Sequence, residues 1–316
     1  MPQTTVLAFL APGQGSQTPG MLADWLELPG AAQRIAAWSE ISGLDLGRLG
    51  TTATAEEITD TAVTQPLVVA ATLLAYEELT TRGVLDGLDI DTTIVAGHSV
   101  GEIAAYAIAG VISADEAVSL AATRGKEMAK ACALEPTGMS ALLGGDETEV
   151  LARLEALDLV AANRNAAGQI VAAGAVSALE KLAEDPPARA RIRPLATAGA
   201  FHTQYMASAL PGYATVADRI DPAEPAVTLL SNSDGRPVSS AADAMAKLVA
   251  QMTRPVRWDL CTASMKELGV TAVVEFPPAG TLTGIAKREL KGTPTHPIKS
   301  PADLDGLAEY LRASAS

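Results

Sequence analysis

The sequence predicts an α/β protein built on a parallel sheet, with a second, smaller strand–helix unit inserted in its middle. Three observations carry this. Short apolar, β-branched runs at residues 6–11, 94–97 and 271–276 each pass through a glycine- or proline-containing loop towards a helical stretch, the alternation that parallel sheets use. After Met139 the rhythm changes to strand, helix, strand, strand, helix, strand, the ferredoxin-like order. Finally, 316 residues at 48% hydrophobic and 19% charged are enough for a large core of ordinary globular composition.

The elements follow in order. Residues 6–11 form a buried strand that runs into Pro12-Gly13-Gln14-Gly15-Ser16-Gln17, a glycine-rich loop without the lysine of a phosphate-binding loop. Such a loop either brings backbone N–H groups close to a ligand or is a plain tight turn. Residues 21–39 and 56–60 have helical periodicity, and Gln65-Pro66 precedes an apolar helix over 67–81 with proline in its first turn. The strand 94–97 feeds a helix over 102–109. Ser113-Ala114-Asp115-Glu116 is an N-cap pattern for a helix carrying Arg124, Lys126 and Lys130. The inserted unit reads as strand 139–144, helix 147–156, strand 159–163, strand 169–173, helix 176–184 and strand 192–195. Helices are expected over 204–220, 241–252, 259–268 and 282–290, with strands at 227–231 and 271–276. The chain beyond Pro294 is expected to be less structured, with a last helix over 304–313. The expected division is therefore a core of residues 1–133 and 199–316 around an insertion of 134–198.

Composition excludes several kinds of function. A net charge of −14 disfavours general nucleic-acid binding, and 3% aromatics leave little for base or sugar stacking. Cys132 and Cys261 are too few for a disulfide framework, and no metal-ligand spacing is present. The N-terminal run lacks a basic n-region and no apolar run reaches membrane-spanning length. The expectation is a cytoplasmic protein with no membrane or nucleic-acid partner and no metal.

Ile94-Val95-Ala96-Gly97-His98-Ser99-Val100-Gly101-Glu102 places G-x-S-x-G between a strand and a helix, the context of a nucleophile elbow. A Cβ at Gly97 or Gly101 would collide with neighbouring backbone in so tight a turn. Ser99 would stand at a helix N-terminus, where free N–H groups stabilise an oxyanion; the alternative is an inert serine in a glycine-bracketed turn. A serine nucleophile needs a base that is neutral near pH 7, most simply histidine. The chain has three. His98 adjoins Ser99 on the turn, where neighbouring side chains point apart, and His296 lies in a late loop. His202 follows a strand and opens a helix, where α/β active-site loops gather, so elimination selects it over the alternative of a hydrogen-bonded core histidine.

Six ordered blocks now stand together: Pro12-Gly13-Gln14-Gly15-Ser16-Gln17, Gly97-His98-Ser99-Val100-Gly101-Glu102, Arg124-Gly125, Gly168-Gln169-Ile170-Val171, Gly199-Ala200-Phe201-His202 and Pro255-Val256-Arg257-Trp258. In this order they resemble the malonyl-CoA:acyl carrier protein transacylase family of bacterial fatty-acid synthesis, over residues 8–288. The resemblance implies an α/β-hydrolase-like core with a ferredoxin-like insertion. It implies Ser99 as the acyl-carrying nucleophile, His202 as general base and acid, and the backbone carbonyl of Gln251 in place of a triad carboxylate. It further implies an oxyanion hole from the backbone N–H groups of Gln14 and Val100, and Arg124 as the fork that binds the free malonyl carboxylate. Periodicity alone would put Arg124 on a solvated helix face. Gln65 matches a family glutamine near the acyl pocket. Phe201 and Val100 go with malonyl over methylmalonyl, although one methyl discriminates by only about 1–3 kcal/mol in a simple pocket.

The implied reaction is ping-pong malonyl transfer from malonyl-CoA to the phosphopantetheine thiol of an acyl carrier protein, by a monomer without metal or redox cofactor. Its rivals are a discrete loader of polyketide synthase carrier proteins and a serine thioesterase or hydrolase. An acidic carrier would need a local basic patch, for which Lys181, Arg189, Arg191, Lys287, Arg288 and Lys291 are candidates. Two places depart from the family pattern: Pro277-Pro278-Ala279-Gly280, and Arg164 between two asparagines.

Overall fold

Every strand of the larger sheet ends on the same side, because all of its pairings are parallel. In the computed structural model, which describes residues 5–86 and 93–314, this sheet comprises β1 (Leu7–Ala11), β2 (Thr93–Gly97), β7 (Thr228–Leu229), β8 (Ala272–Glu275) and β9 (Thr295–Pro297). Their spatial order is β7-β2-β1-β8-β9. β1 and β2 are buried at every position, as central strands covered on both faces must be, and they are apolar nearly throughout. Ala11 pairs with Gly97, so the glycine-rich loop after β1 and the elbow after β2 leave the sheet side by side.

The helices largely fall where periodicity and caps place them. α1 (Ala23–Leu26) and α2 (Ala31–Ser42) divide the single helix expected over 21–39, because Pro29-Gly30 intervenes and Gly30 takes φ 83° at the N-cap of α2. After α3 (Leu46–Thr51) comes α4 (Thr61–Thr81), which starts six residues earlier than expected. Asp60 caps it by accepting the Ala62 N–H, so Pro66 lies inside the helix and Gln65 in its second turn. α5 (Gly101–Ile108) follows the elbow. α6 (Ala114–Cys132) opens on a capping box in which Ser113 and Glu116 satisfy each other's backbone N–H.

The second sheet is antiparallel and takes up residues 137–194. β3 (Thr137–Gly144), α7 (Glu147–Ala156), β4 (Val160–Ala166), β5 (Gln169–Ala175), α8 (Val176–Glu184) and β6 (Ala190–Pro194) follow in sequence. Their sheet order, β4-β5-β3-β6, is the ferredoxin-like one. Its own small core of Leu142, Val150, Leu154, Ile170, Leu179 and Leu182 lies under the two helices.

Beyond this unit the expected helix over 204–220 is a 3₁₀ segment, Gln204–Ala209, followed by α9 (Leu210–Ala217), whose second residue is proline. α10 (Ala241–Ala250), α11 (Trp258–Glu267) and α12 (Thr281–Glu289) follow. The C-terminal stretch is more ordered than expected. β9 adds an edge strand beside β8, and the last helix is two pieces, α13 (Ala302–Asp305) and α14 (Leu307–Ser314). Parallel pairing of β9 is a long-range gain that a three-residue Thr-His-Pro run does not announce. No described helix is long and apolar enough to cross a membrane.

Candidate active site

Ser99 holds φ 54°, a left-handed conformation that non-glycine residues seldom adopt outside constrained turns. The flanking glycines make this possible. A Cβ on Gly97 would meet the Gly101 carbonyl oxygen at 2.0 Å, and one on Gly101 would meet the Ala11 and Pro12 carbonyls at 2.3 and 2.5 Å. Gly101 thus lets α5 start directly against the end of β1. Gly13 faces the same constraint from the other side, where its Cβ would lie 2.6 Å from the His98 carbonyl. Loop and elbow therefore touch, and Gln14 lines the same cavity as Ser99. Among the described residues no protein acceptor takes the backbone N–H of Gln14 or of Val100.

His202 lies across the cleft with its Nε2 2.7 Å from Ser99 Oγ. Its Nδ1 lies 2.9 Å from the Gln251 carbonyl oxygen. A carbonyl only accepts, so Nδ1 carries the proton and the Nε2 lone pair faces the serine hydroxyl. The imidazole is buried, and burial together with the Arg124 guanidinium pushes its pKa down to about 3. The ring is neutral at physiological pH, as a base must be. His202 itself sits at φ 60°, and Phe201 beside it is buried against the same cavity.

Arg124 is 1% exposed, not solvated as helix periodicity alone would have it. α6 can approach α4 there because Gly125 has no side chain; a Cβ would stand 2.7 Å from the Thr61 carbonyl. The guanidinium donates from Nη1 to Gln65 Oε1 at 2.8 Å and from Nη2 to Gln251 Oε1 at 2.9 Å, and Nη2 also stands 3.4 Å from Ser99 Oγ. Its buried charge is thus held by neutral amide oxygens, and none of the described ion pairs neutralises it. That arrangement suits an anion arriving as ligand.

Ser99, His202, Arg124, Gln65, Gln14 and Phe201 all line one cavity of about 540 Å³, closed on its far side by Met139, Ala141, Asn163, Asn165 and Val171 of the antiparallel sheet. His98 does point away from the Ser99 hydroxyl. Its Nε2 bonds Asn165 Oδ1 at 2.8 Å and its ring stands edge-on to Trp258, tying the elbow to β4. His296 lies on the outer strand β9, bonded to the Asp303 carbonyl and packed on Tyr310. Of the two departures from the family pattern, Arg164 pairs with Glu147 at the surface, and the Pro277 carbonyl accepts from the Thr72 hydroxyl.

Two residues of the site escaped the sequence reading. Asn232 accepts the Ser99 N–H at 2.8 Å and donates to the Gly97 carbonyl at 2.7 Å, bracing the elbow from beneath. Glu102 is fully buried; burial raises its pKa to about 7 against the hydrogen bonds it accepts. The signal for Glu102 was available: a carboxylate among Ile103, Ala104, Ala105 and Tyr106 on a helix with no solvent face needs partners. Asn232 sits in a Ser-Asn-Ser-Asp turn that reads as an ordinary loop.

Parallel sheet, elbow and imidazole define an α/β protein that presents one serine to a neutral histidine in a closed cleft. Comparison with known proteins makes the class specific. The acyl transferase domain model matches residues 8–303, and the chain belongs to that family. Within it, the chain is a member of the malonyl-CoA:acyl carrier protein transacylase family. It is 77% identical over 291 residues to the malonyl CoA-acyl carrier protein transacylase of Mycolicibacterium smegmatis, covering 91% of this chain and 99% of that one. The crystal structure of MCAT from Mycobacterium tuberculosis superposes with TM-score 0.93 at 73% identity, covering 96% of this chain and 99% of that one. A malonyl-transacylase solved in complex with its type II PKS acyl-carrier protein superposes with TM-score 0.89 at 30% identity, over 96% of this chain and 99% of that one.

Proposed function

We propose that this protein transfers the malonyl group from malonyl-CoA to the phosphopantetheine thiol of an acyl carrier protein, through a malonyl ester on Ser99. The observation that carries the reading is the Arg124 guanidinium beside Ser99 Oγ, with donors to spare and no carboxylate of its own. A plain serine hydrolase shares the serine and imidazole but has no need of a buried cation there.

The steps follow from the hydrogen bonds. Ser99 Oγ attacks the thioester carbonyl as its proton passes to His202 Nε2. The oxyanion is received by the backbone N–H groups of Gln14 and Val100, which have no protein acceptor among the described residues, and the Gln251 carbonyl holds the imidazolium that forms. CoA leaves as a thiol with the proton from His202. The carrier thiol then gives its proton to His202 and attacks the serine ester, and Ser99 is regenerated. The first half-reaction exchanges a thioester for an ester and the second exchanges that ester for a thioester, so no electrons are transferred in either. Binding of the malonyl carboxylate to Arg124 offsets the positive field that depresses His202, so the substrate makes its own base stronger. Phe201 lines the cavity beside His202, and its ring there supports choice of malonyl over a branched acyl group.

The carrier is expected to dock at the open edge of the antiparallel sheet. Arg191 pairs with Leu143 and Arg193 with Ala141 across β3, and Ala141 lines the cavity. Directly opposed residues point to one face, so these two arginines continue the cavity wall out to the surface. Both are exposed, and neither is in an ion pair among the described residues. The likeness to a transacylase bound to a PKS carrier favours one second reading, service to polyketide carriers, which present the same thiol arm.

Intact mass after incubation with malonyl-CoA tests the reading. The protein should gain one malonyl group and lose it on addition of phosphopantetheinylated carrier, while Ser99→Ala gains none. Rapid CoA release with no adduct, or an adduct that survives Ser99→Ala, would sink it.

A further inference from the structure

Glu102 has no part in these steps, although it lies buried directly under the nucleophile. Both of its oxygens accept. Oε1 takes the Asn232 backbone N–H at 2.6 Å and Oε2 takes Gln251 Nε2 at 2.6 Å. The Gln251 side chain then reaches Arg124 with its other end, Oε1 to Nη2 at 2.9 Å, while its backbone carbonyl holds His202. An amide has one accepting and one donating end, and a buried amide takes the orientation its neighbours impose. Here Glu102, whose oxygens receive two N–H donors, and a guanidinium that only donates impose the same one. Turning the amide over would set NH₂ against the guanidinium and oxygen against the carboxylate.

We propose that Glu102 is a positioning residue for acyl-group selection: it fixes the Gln251 amide, and through it the Nη2 edge of Arg124, on the cavity. The proposal rests on the malonyl reading above and extends it to a residue two hydrogen bonds removed from Arg124. The series Glu102, Gln251, Arg124 joins α5, the turn after α10 and α6, three elements that meet only in the folded core. The other oxygen of Glu102 serves the elbow through Asn232, which holds the Ser99 N–H and the Gly97 carbonyl, and the Gln251 amide adds a bond to the Ser99 carbonyl.

Glu102→Gln separates the two services. Its single oxygen can still accept from Asn232, and its new NH₂ then faces Gln251, which is stable only with that amide turned. The Asn232 N–H stays held; the turned amide withdraws its Nε2 donor from the Ser99 carbonyl, 3.0 Å away, for both acyl groups alike, while Arg124 now meets a donor. Acyl-enzyme formation is measured in single turnover with malonyl-CoA and acetyl-CoA for wild type, Glu102→Gln, Gln251→Met and the double variant. The malonyl-over-acetyl preference should fall about tenfold in Glu102→Gln, the size of one misplaced charged hydrogen bond. Gln251→Met should lose the same preference, and the double variant should lose no more of it than Gln251→Met alone. Equal losses for both acyl groups, or losses that multiply in the double variant, would overturn the proposal. If Glu102→Gln does not fold, an unaltered preference in Gln251→Met overturns it as well. A wild type that forms no malonyl-Ser99 ester would instead defeat the functional reading, so the two failures are distinguishable.

Discussion

The two sheets treat their polar residues in opposite ways. Around the parallel sheet, Glu102, Arg124, His202, Asn232 and Gln251 are all buried, and each is bonded to at least one of the others or to Ser99. On the antiparallel sheet, Arg189, Arg191 and Arg193 stand exposed along one edge. The cavity runs between the two regions and takes its reactive groups from the first and much of its wall from the second. A cross-braced, desolvated cluster gives each group a fixed position and a displaced pKa, at the cost that removing one member strands its partners. An exposed basic edge imposes no such geometry and would suit a partner that comes and goes. The buried cluster should therefore answer mutation with large, chemically specific effects, and the edge with small ones confined to one half-reaction.

The largest of these is expected at Arg124. Arg124→Ala should lower malonyl loading roughly 10- to 100-fold, the worth of charged hydrogen bonds to a carboxylate, and lower acetyl loading much less. Stopped-flow release of CoA from the two thioesters compares them, and equal losses would remove Arg124 from carboxylate recognition.

The pH profile is the next test. His202 is held well below the ordinary imidazole value of 6.5, first by burial and then by Arg124. A depressed pKa keeps the ring unprotonated to lower pH, so the acid limb of acetyl loading by free enzyme should lie below pH 6.5. Removing the guanidinium in Arg124→Ala takes away the second-largest cause, so the limb should move up towards that value. A wild-type limb at or above pH 6.5 would mean that the base is more hydrated than the folded cleft allows.

The smallest effect belongs to the open edge. Arg191→Ser together with Arg193→Ser should leave loading from malonyl-CoA and thermal stability nearly unaltered, since exposed substitutions usually fall within about 0.5 kcal/mol. Transfer to the carrier should weaken several-fold and lose most of its dependence on salt. A pair of variants that fails equally in both half-reactions would mean that the edge is not a docking surface, and the contrast between the two sheets would narrow.

Much of this molecule was legible from short stretches of chain. The elbow announces itself because its geometry is decided within five residues: strand, two glycines and a serine forced to positive φ. The capping box at Ser113 and the six elements of the antiparallel unit are likewise set by local periodicity and turn residues. The start of α4 was misplaced for a local reason as well, since proline in the first turn is the usual pattern and Asp60 supplied an earlier cap. What periodicity could not show was that Arg124 is buried, because that depends on Gly125 admitting α4 against α6.

The sequence by itself determined which residues could be nucleophile and base, and where the strands and helices of the antiparallel unit begin, since backbone sterics, caps and hydrophobic periods act over a few residues. The tertiary structure decided that the Gln251 carbonyl faces an imidazole 49 residues away, and that its amide links Glu102 to Arg124. Desolvation and hydrogen-bond partnership belong to the assembled core, and no single segment carries them.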